Sequence, residues 1–146
     1  FNLLFYYLIE DKKVFLILEE PESHLYPSSQ EIMAQVLSLM LDSGNSVLVT
    51  THSPYILGTF NYLLLADQVP SAKQENVKKK LRKRLWLVVK STNAYYIHSG
   101  HIDSAMTSED DGLKLIQNEL IDGASGSINE MTDFLLDSLD SEEESE

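Results

Sequence analysis

The sequence predicts an α/β fold, and three observations carry that prediction. Residues 14–18, Val-Phe-Leu-Ile-Leu, are a short apolar run closed at once by Glu19, Glu20 and Pro21. Ile32, Met33, Val36, Leu37, Met40 and Leu41 then recur at helical spacing. Residues 47–51, Val-Leu-Val-Thr-Thr, are rich in β-branched side chains. A short apolar run bounded by turn residues reads as a strand buried in a parallel sheet. Strand, helix and strand within residues 14–51 make a βαβ unit, whose two strands run parallel.

Each element has its own signals. Residues 1–9 are apolar at 1, 3, 4, 5, 8 and 9 and read as a buried helix. Residues 11–13, Asp-Lys-Lys, are a polar turn, and 22–27 a loop. Ser28 with Glu31 three residues on fits a capping box, so the first amphipathic helix is expected to start with Ser28 as its cap. Gly44 and Asn45 suit its end. Ser53 followed by Pro54 predicts a second helix, capped by the serine with proline in its first turn. Residues 60–66 are apolar without a clear period, helix end or short strand. Residues 70–75 read as a loop, 77–84 as helix-forming but poor in core anchors, and 85–89 as a strand. Ser99-Gly100 between two β-type runs predicts a hairpin. Residues 113–121 and 128–139 read as amphipathic helices, with a loop at 123–127 between them.

Composition narrows the function classes. A chain of 146 residues forms one domain or part of one. Its net charge of −12 conceals an asymmetry: seven of the eleven Lys and Arg lie in residues 73–84, and six acidic residues crowd the last ten. The acidic balance argues against non-specific nucleic-acid binding, while the basic segment could still touch phosphates. That segment has no aromatic residue before Trp86, so base stacking is not supported, and a solvated helix face is the plainer reading. There is no cysteine, hence no disulfide or thiolate metal site. No apolar run reaches the ~18–20 residues of a membrane span, and residues 1–9 lack the pattern of a secretory signal. A cytoplasmic protein with no membrane contact is expected. The chain opens on Phe1 in an apolar phrase, which reads as the interior of a core element and predicts further sequence upstream.

The polar residues that could carry chemistry fall where the two strands end. Glu19 and Glu20 close one strand, Thr51 and His52 the other, and in open parallel sheets ligands sit beyond the carboxyl ends of the strands. On local sequence alone, Glu19 and Glu20 could equally be exposed loop carboxylates and His52 a structural histidine. His98 and His101 flank a glycine turn and lack a third ligand nearby, which favours an exposed hairpin over a metal site.

Three phrases in order decide between these readings: Val-Phe-Leu-Ile-Leu-Glu-Glu at 14–20, Pro-Glu-Ser-His-Leu-Tyr-Pro at 21–27, and Leu-Val-Thr-Thr-His-Ser-Pro-Tyr-Ile-Leu at 48–57. Over residues 14–57 the chain resembles the second half of an ABC-type P-loop ATPase domain, most of all the AAA/OLD-like (overcoming lysogenization defect) branch related to SMC-type ATPases. The phrases resemble the Walker B strand, the D-loop and the switch-histidine segment. The resemblance implies the C-terminal portion of a P-loop NTPase parallel sheet with flanking helices over 1–68; the residues beyond read as a basic loop or helix over 69–84, a small α+β extension over 85–138 and an acidic tail over 139–146. It implies ATP and Mg²⁺ as cofactors, with Glu19 (where many relatives carry Asp) holding Mg²⁺ through water. It implies that Glu20 orients or deprotonates the attacking water, and that His52 bonds the γ-phosphate. Ser23, His24 and Leu25, in the D-loop-like segment, imply a head-to-tail homodimer around nucleotide. The role implied is DNA maintenance or phage defence, with an effector protein as a further partner.

One part of such a site is not in these residues. None of the six glycines opens a GxxxxGK[ST] phosphate loop, and the signature Ser-Gly segment is missing too, so both are expected upstream of Phe1 and this piece alone is expected to be inactive. No Asp-x-Asp supports a Toprim nuclease. The alternative reading is a degenerate, non-enzymatic module for dimerisation or partner binding. A third is a nucleic-acid module acting through residues 73–84.

Overall fold

A computed structural model describes Leu4, Tyr6, Tyr7, Glu10, and residues 13–107 and 112–117. The elements in chain order are β1 (Phe15–Glu19), α1 (Pro27–Asp42), β2 (Ser46–Thr50), α2 (Pro54–Gln68) and α3 (Ser71–Lys80). Two 3₁₀ turns follow, Lys83–Leu85 and Val89–Ser91, then β3 (Tyr95–His98) and β4 (His101–Ser104). Leu4, Tyr6 and Tyr7 are helical, as the apolar opening predicts. The expected helix at 128–139, the loop at 123–127 and the acidic tail lie outside the described residues.

The βαβ unit is as expected. β1 and β2 pair in parallel, from Phe15 opposite Ser46 to Glu19 opposite Thr50. α1 covers one face through Met33, Val36, Leu37 and Met40, against Leu16 and the half-buried Leu18, Val47 and Val49. The strands are not buried on both sides, however. Phe15, Ile17 and Leu48 are 64%, 67% and 52% exposed. They occupy alternate positions, which point to the face opposite α1, and no described element lies over that face.

α1 starts earlier than the capping box predicts. Its cap is Tyr26, with no side-chain cap bond, and Ser29 and Gln30 donate their amides to the Tyr26 carbonyl at 2.8 and 3.0 Å. Pro27 supplies the reason: proline at the first helical position has no amide to satisfy and a preset φ. Ser28 is thereby drawn into the first turn. At the other end Gly44, at φ +81°, donates to the Leu41 carbonyl and Asn45 to that of Met40, a Schellman ending. Asn45 does a second job. Its Oδ1 accepts from the Val14 amide at 3.0 Å and its Nδ2 donates to the Met40 carbonyl at 2.9 Å, so a single buried amide ties the entry of β1 to the exit of α1. We expect Asn45→Ala to cost about 2 kcal/mol, because it leaves the part-buried Val14 amide unpaired and removes the second bond to the Met40 carbonyl; the urea midpoint measures it.

α2 settles the ambiguous run at 60–66, which is helical to Gln68. Its period is hard to read because it packs into two cores and is apolar well beyond a single stripe. Ile56 belongs to the core with α1 and the sheet, while Leu57, Leu63 and Leu64 join Leu87, Ala105 and Ile116 in a second core. A helix apolar nearly all round has little amphipathic signal.

Three expectations beyond α2 need correction. The loop at 70–75 is part of α3, which begins at Ser71; Ala72, Lys73, Gln74 and Glu75 are adequate helix formers. No residue of α3 is buried, and Lys78, Lys79 and Lys80 occupy its last turn, where the helix dipole favours cations. Residues 85–89 are not a strand. Trp86 and Leu87 are both buried, so the run does not alternate. Its polar groups bond to α1 and α2 instead of a neighbouring strand: Ser38 Oγ donates to the Leu85 carbonyl at 2.6 Å, and the Val89 amide donates to Asp67 Oδ2 at 3.2 Å. Finally, the described part of the expected helix at 113–121 is extended. Met106 and Ile116 form an antiparallel bridge. Asn61 bonds both the amide and the carbonyl of Ile116, at 2.7 and 2.9 Å. Gln68 does the same for Lys114, at 2.8 and 2.9 Å. Two side-chain amides on one helix thus act as a strand partner, a pattern that hydropathy does not record.

The hairpin is as expected: β3 and β4 pair antiparallel with His98 opposite His101, around Ser99 and Gly100 at φ +46° and +80°.

Candidate functional site

The ladder between β1 and β2 runs one residue past the strands, where the Glu20 amide donates to the Thr50 carbonyl at 2.9 Å. The chain then turns sharply. Glu20 and His24 are both non-glycine residues in the left-handed region, at φ +40° and +66°, and such strain concentrates at functional turns. The Ser23 amide donates to the Glu20 carbonyl and the Leu25 amide to that of Glu22, both at 2.9 Å. Gln30, on the first turn of α1, anchors the far side by donating from Nε2 to the Leu25 carbonyl at 2.8 Å.

The neighbouring strand exit faces this turn. Ser53 caps α2, accepting from the Tyr55 and Ile56 amides at 3.1 and 3.2 Å, and its hydroxyl donates to Gln30 Oε1 at 2.5 Å. The cap therefore acts as predicted, with an added tie to α1. Ser53→Ala is expected to lower stability by about 1 kcal/mol, read as a fall in Tm.

A shallow cleft of about 350 Å³ lies between the two exits, lined by Glu20, Glu22, Ser23, His24, Gln30 and His52 among others. His52 Nε2 is 3.6 Å from Glu20 Oε1, with side chains 84% and 48% exposed. A pair so exposed contributes little to stability and is open to a ligand. Ser23 Oγ donates to Glu20 Oε2 at 3.2 Å. Ser23 and His24 are exposed and Leu25 is half-buried, packed against the first core. Glu19 stands apart. It does not line the cleft and continues the outer row of Phe15 and Ile17, exposed like them.

Residues 2–57 match the family model of the AAA ATPase domain. The matched part, less than half of the chain, contains β1, the turn, α1, β2 and the first turn of α2. It supports an ATPase-type domain, and the mixed α/β architecture with a small parallel sheet is compatible with one. No curated protein and no solved structure matches the chain.

Nucleotide and Mg²⁺ use goes with that family, and the donors can be tested against it. Mg²⁺ needs only one or two carboxylates, with water and phosphate oxygens completing its octahedron. An exposed strand-end carboxylate such as Glu19 fits that demand. No group of three or more His, Cys, Asp or Glu suited to a metal occurs among the described residues, so a cage of protein ligands does not. His98 instead pairs with Asp103 at 2.7 Å, as an exposed hairpin allows.

Nothing in the sequence marks Glu22 and Gln30 as site residues. Glu22 is the third carboxylate of Glu-Glu-Pro-Glu, and Gln30 lies in a polar helix start; neither stands out by composition. A second groove, about 450 Å³ between α1 and α2, contains Glu31 and Tyr62. Burial raises the pKa of the Tyr62 phenol above its ordinary value, and the nearby Glu31 carboxylate adds to the shift. The Tyr62 hydroxyl donates to Glu31 Oε1 at 3.0 Å and accepts from Gln35 Nε2 at 2.9 Å, so it is engaged in holding the two helices together.

The basic residues along α3 and the first 3₁₀ turn are exposed, apart from the half-buried Lys78. Arg84 pairs with Asp42 at 2.8 Å and Lys78 with Glu75 at 2.5 Å. Trp86 is buried and offers no free face for a base. Among the described residues no helix is long and apolar enough to cross a membrane.

Proposed function

We propose that residues 1–68 are the C-terminal half of a nucleotide site that binds and hydrolyses ATP, in an ATPase of the OLD-like branch. The observation that carries this reading is the approach of Glu20 to His52, 3.6 Å apart at the carboxyl ends of two adjacent parallel strands. Glu20 orients the attacking water and accepts its proton. His52 donates a hydrogen bond to the γ-phosphate. Glu19 would hold Mg²⁺, largely through water; when bound, the cation supplies neutralisation of phosphate charge. A phosphate-cradling loop must complete the site, and the activity is proposed for the protein in which this half is joined to one.

Ser23, His24 and Leu25 are proposed to meet a second copy across the nucleotide, giving a head-to-tail dimer that closes on ATP and opens after hydrolysis. The exposure of Ser23 and His24 beside Glu20 supports that orientation. The cellular role proposed is phage defence or DNA maintenance, with an effector protein as partner, in the cytoplasm. Turnover of Mg-ATP by the intact protein tests the reading. ATP hydrolysis with saturation kinetics is expected; a protein that carries a phosphate loop yet neither binds nor hydrolyses ATP would refute it, and would favour a partner-binding module.

A further inference from the structure

Glu22 is the one carboxylate the turn buries. It is 8% exposed, flanked in space by the exposed Glu20 and His24. Its Oε1 accepts two hydrogen bonds, from Thr51 Oγ1 at 2.5 Å and from the His52 amide at 3.2 Å. Thr51 Oγ1 in turn accepts from the Ser53 amide at 3.0 Å. Three consecutive residues leaving β2 thus hang on one carboxylate leaving β1. Glu22 Oε2 is buried with no partner.

We infer that Glu22 is the positioning residue that sets His52 against Glu20. This rests on the function proposed above and adds a residue to it. Burying a carboxylate with one oxygen unpaired is unfavourable, and the turn accepts it at the point where the other oxygen fixes Thr51 and the His52 amide. The turn is also held in two left-handed residues, Glu20 and His24, and this unfavourable backbone is what aims Glu22 inward while Glu20 points to the cleft. His52 has a largely exposed ring, 84% accessible, whose ion-pair contact is the half-exposed Glu20. Its location is therefore set by its backbone, and the amide end of that backbone is held by Glu22.

The test separates positioning from folding in the intact protein. In Glu22→Ala we expect kcat to fall about 30-fold, since misplacement of a reacting group by about 1 Å costs up to ~10²-fold, with ATP affinity within about threefold of wild type. Hydrogen exchange of the His52 amide, measured without nucleotide, is expected to rise at least ~10-fold. Glu22→Gln keeps an acceptor oxygen and is expected to restore both slow exchange and most of the turnover. If Glu22→Ala fails to fold, Thr51→Val serves instead, expected to lower kcat about fivefold at unchanged affinity. Unchanged kcat in a folded variant whose exchange has risen overturns the inference. So does a parallel loss of kcat, affinity and Tm, which marks a merely structural role. Unchanged exchange overturns it without reference to ATP. Absence of turnover in the wild type removes the proposed function itself, a result distinct from any of these.

Discussion

Replacing Glu20 by Gln in the intact protein is expected to abolish turnover while leaving ATP binding in place. The substitution keeps the shape of the side chain and an acceptor for the Ser23 hydroxyl, 3.2 Å away. It removes the proton acceptor. A positioned general base is worth ~10²–10⁴-fold, so kcat should fall by about that factor. Stability should change by less than ~0.5 kcal/mol, as for other surface substitutions, because Glu20 is half exposed and its histidine contact is solvent-screened. A fall in kcat at constant Tm is therefore chemical. With ATP retained, the dimer should accumulate, visible as a doubled mass by light scattering in the presence of Mg-ATP. Wild-type turnover in this variant would sink the assignment of Glu20.

The largest loss of stability is expected from Leu64→Ala. Leu64 is 0% exposed and sits in the second core with Leu57, Leu63, Leu87, Ala105 and Ile116. Truncating a buried leucine removes its transfer free energy and leaves a cavity, about 2–5 kcal/mol in total. The upper half of that range applies where the site cannot collapse. Here α2 is held along its length, by Ile56 in the first core and Leu63 in the second, and by the bonds of Asn61 and Gln68 to the 112–117 segment. We expect about 4 kcal/mol from urea unfolding. A loss under ~1 kcal/mol would mean that the second core is not cooperative with the first.

The βαβ unit and its site were legible because each signal there is local. Apolar runs ending in charge mark the strands, Ser53-Pro54 marks a cap, and Gly44-Asn45 marks an ending. The sequence also placed Glu20 and His52 at neighbouring strand ends, and the structure brings their side chains together. Glu22 was invisible because its burial is a tertiary fact: nothing about a glutamate between proline and serine says that it turns inward. The same holds for residues 85–89 and 113–117. In both, hydropathy alone suggests a regular element, while the conformation is decided by which polar groups are available to the run. Ser38 and Asp67 hold the first and Asn61 and Gln68 the second, each tens of residues away in sequence.

The two cores of α2 make it the link between distant parts of the molecule. Its first turn is capped by Ser53, next to His52, and its last residue, Gln68, grips Lys114. At 1.5 Å per residue these ends are about 22 Å apart. Between those ends one broad face of the helix passes from the first core, at Ile56, to the second, at Leu63 and Leu64. The helix that closes the βαβ core thus also joins the strand exit at His52 to the segment at 112–117, which Asn61 and Gln68 hold.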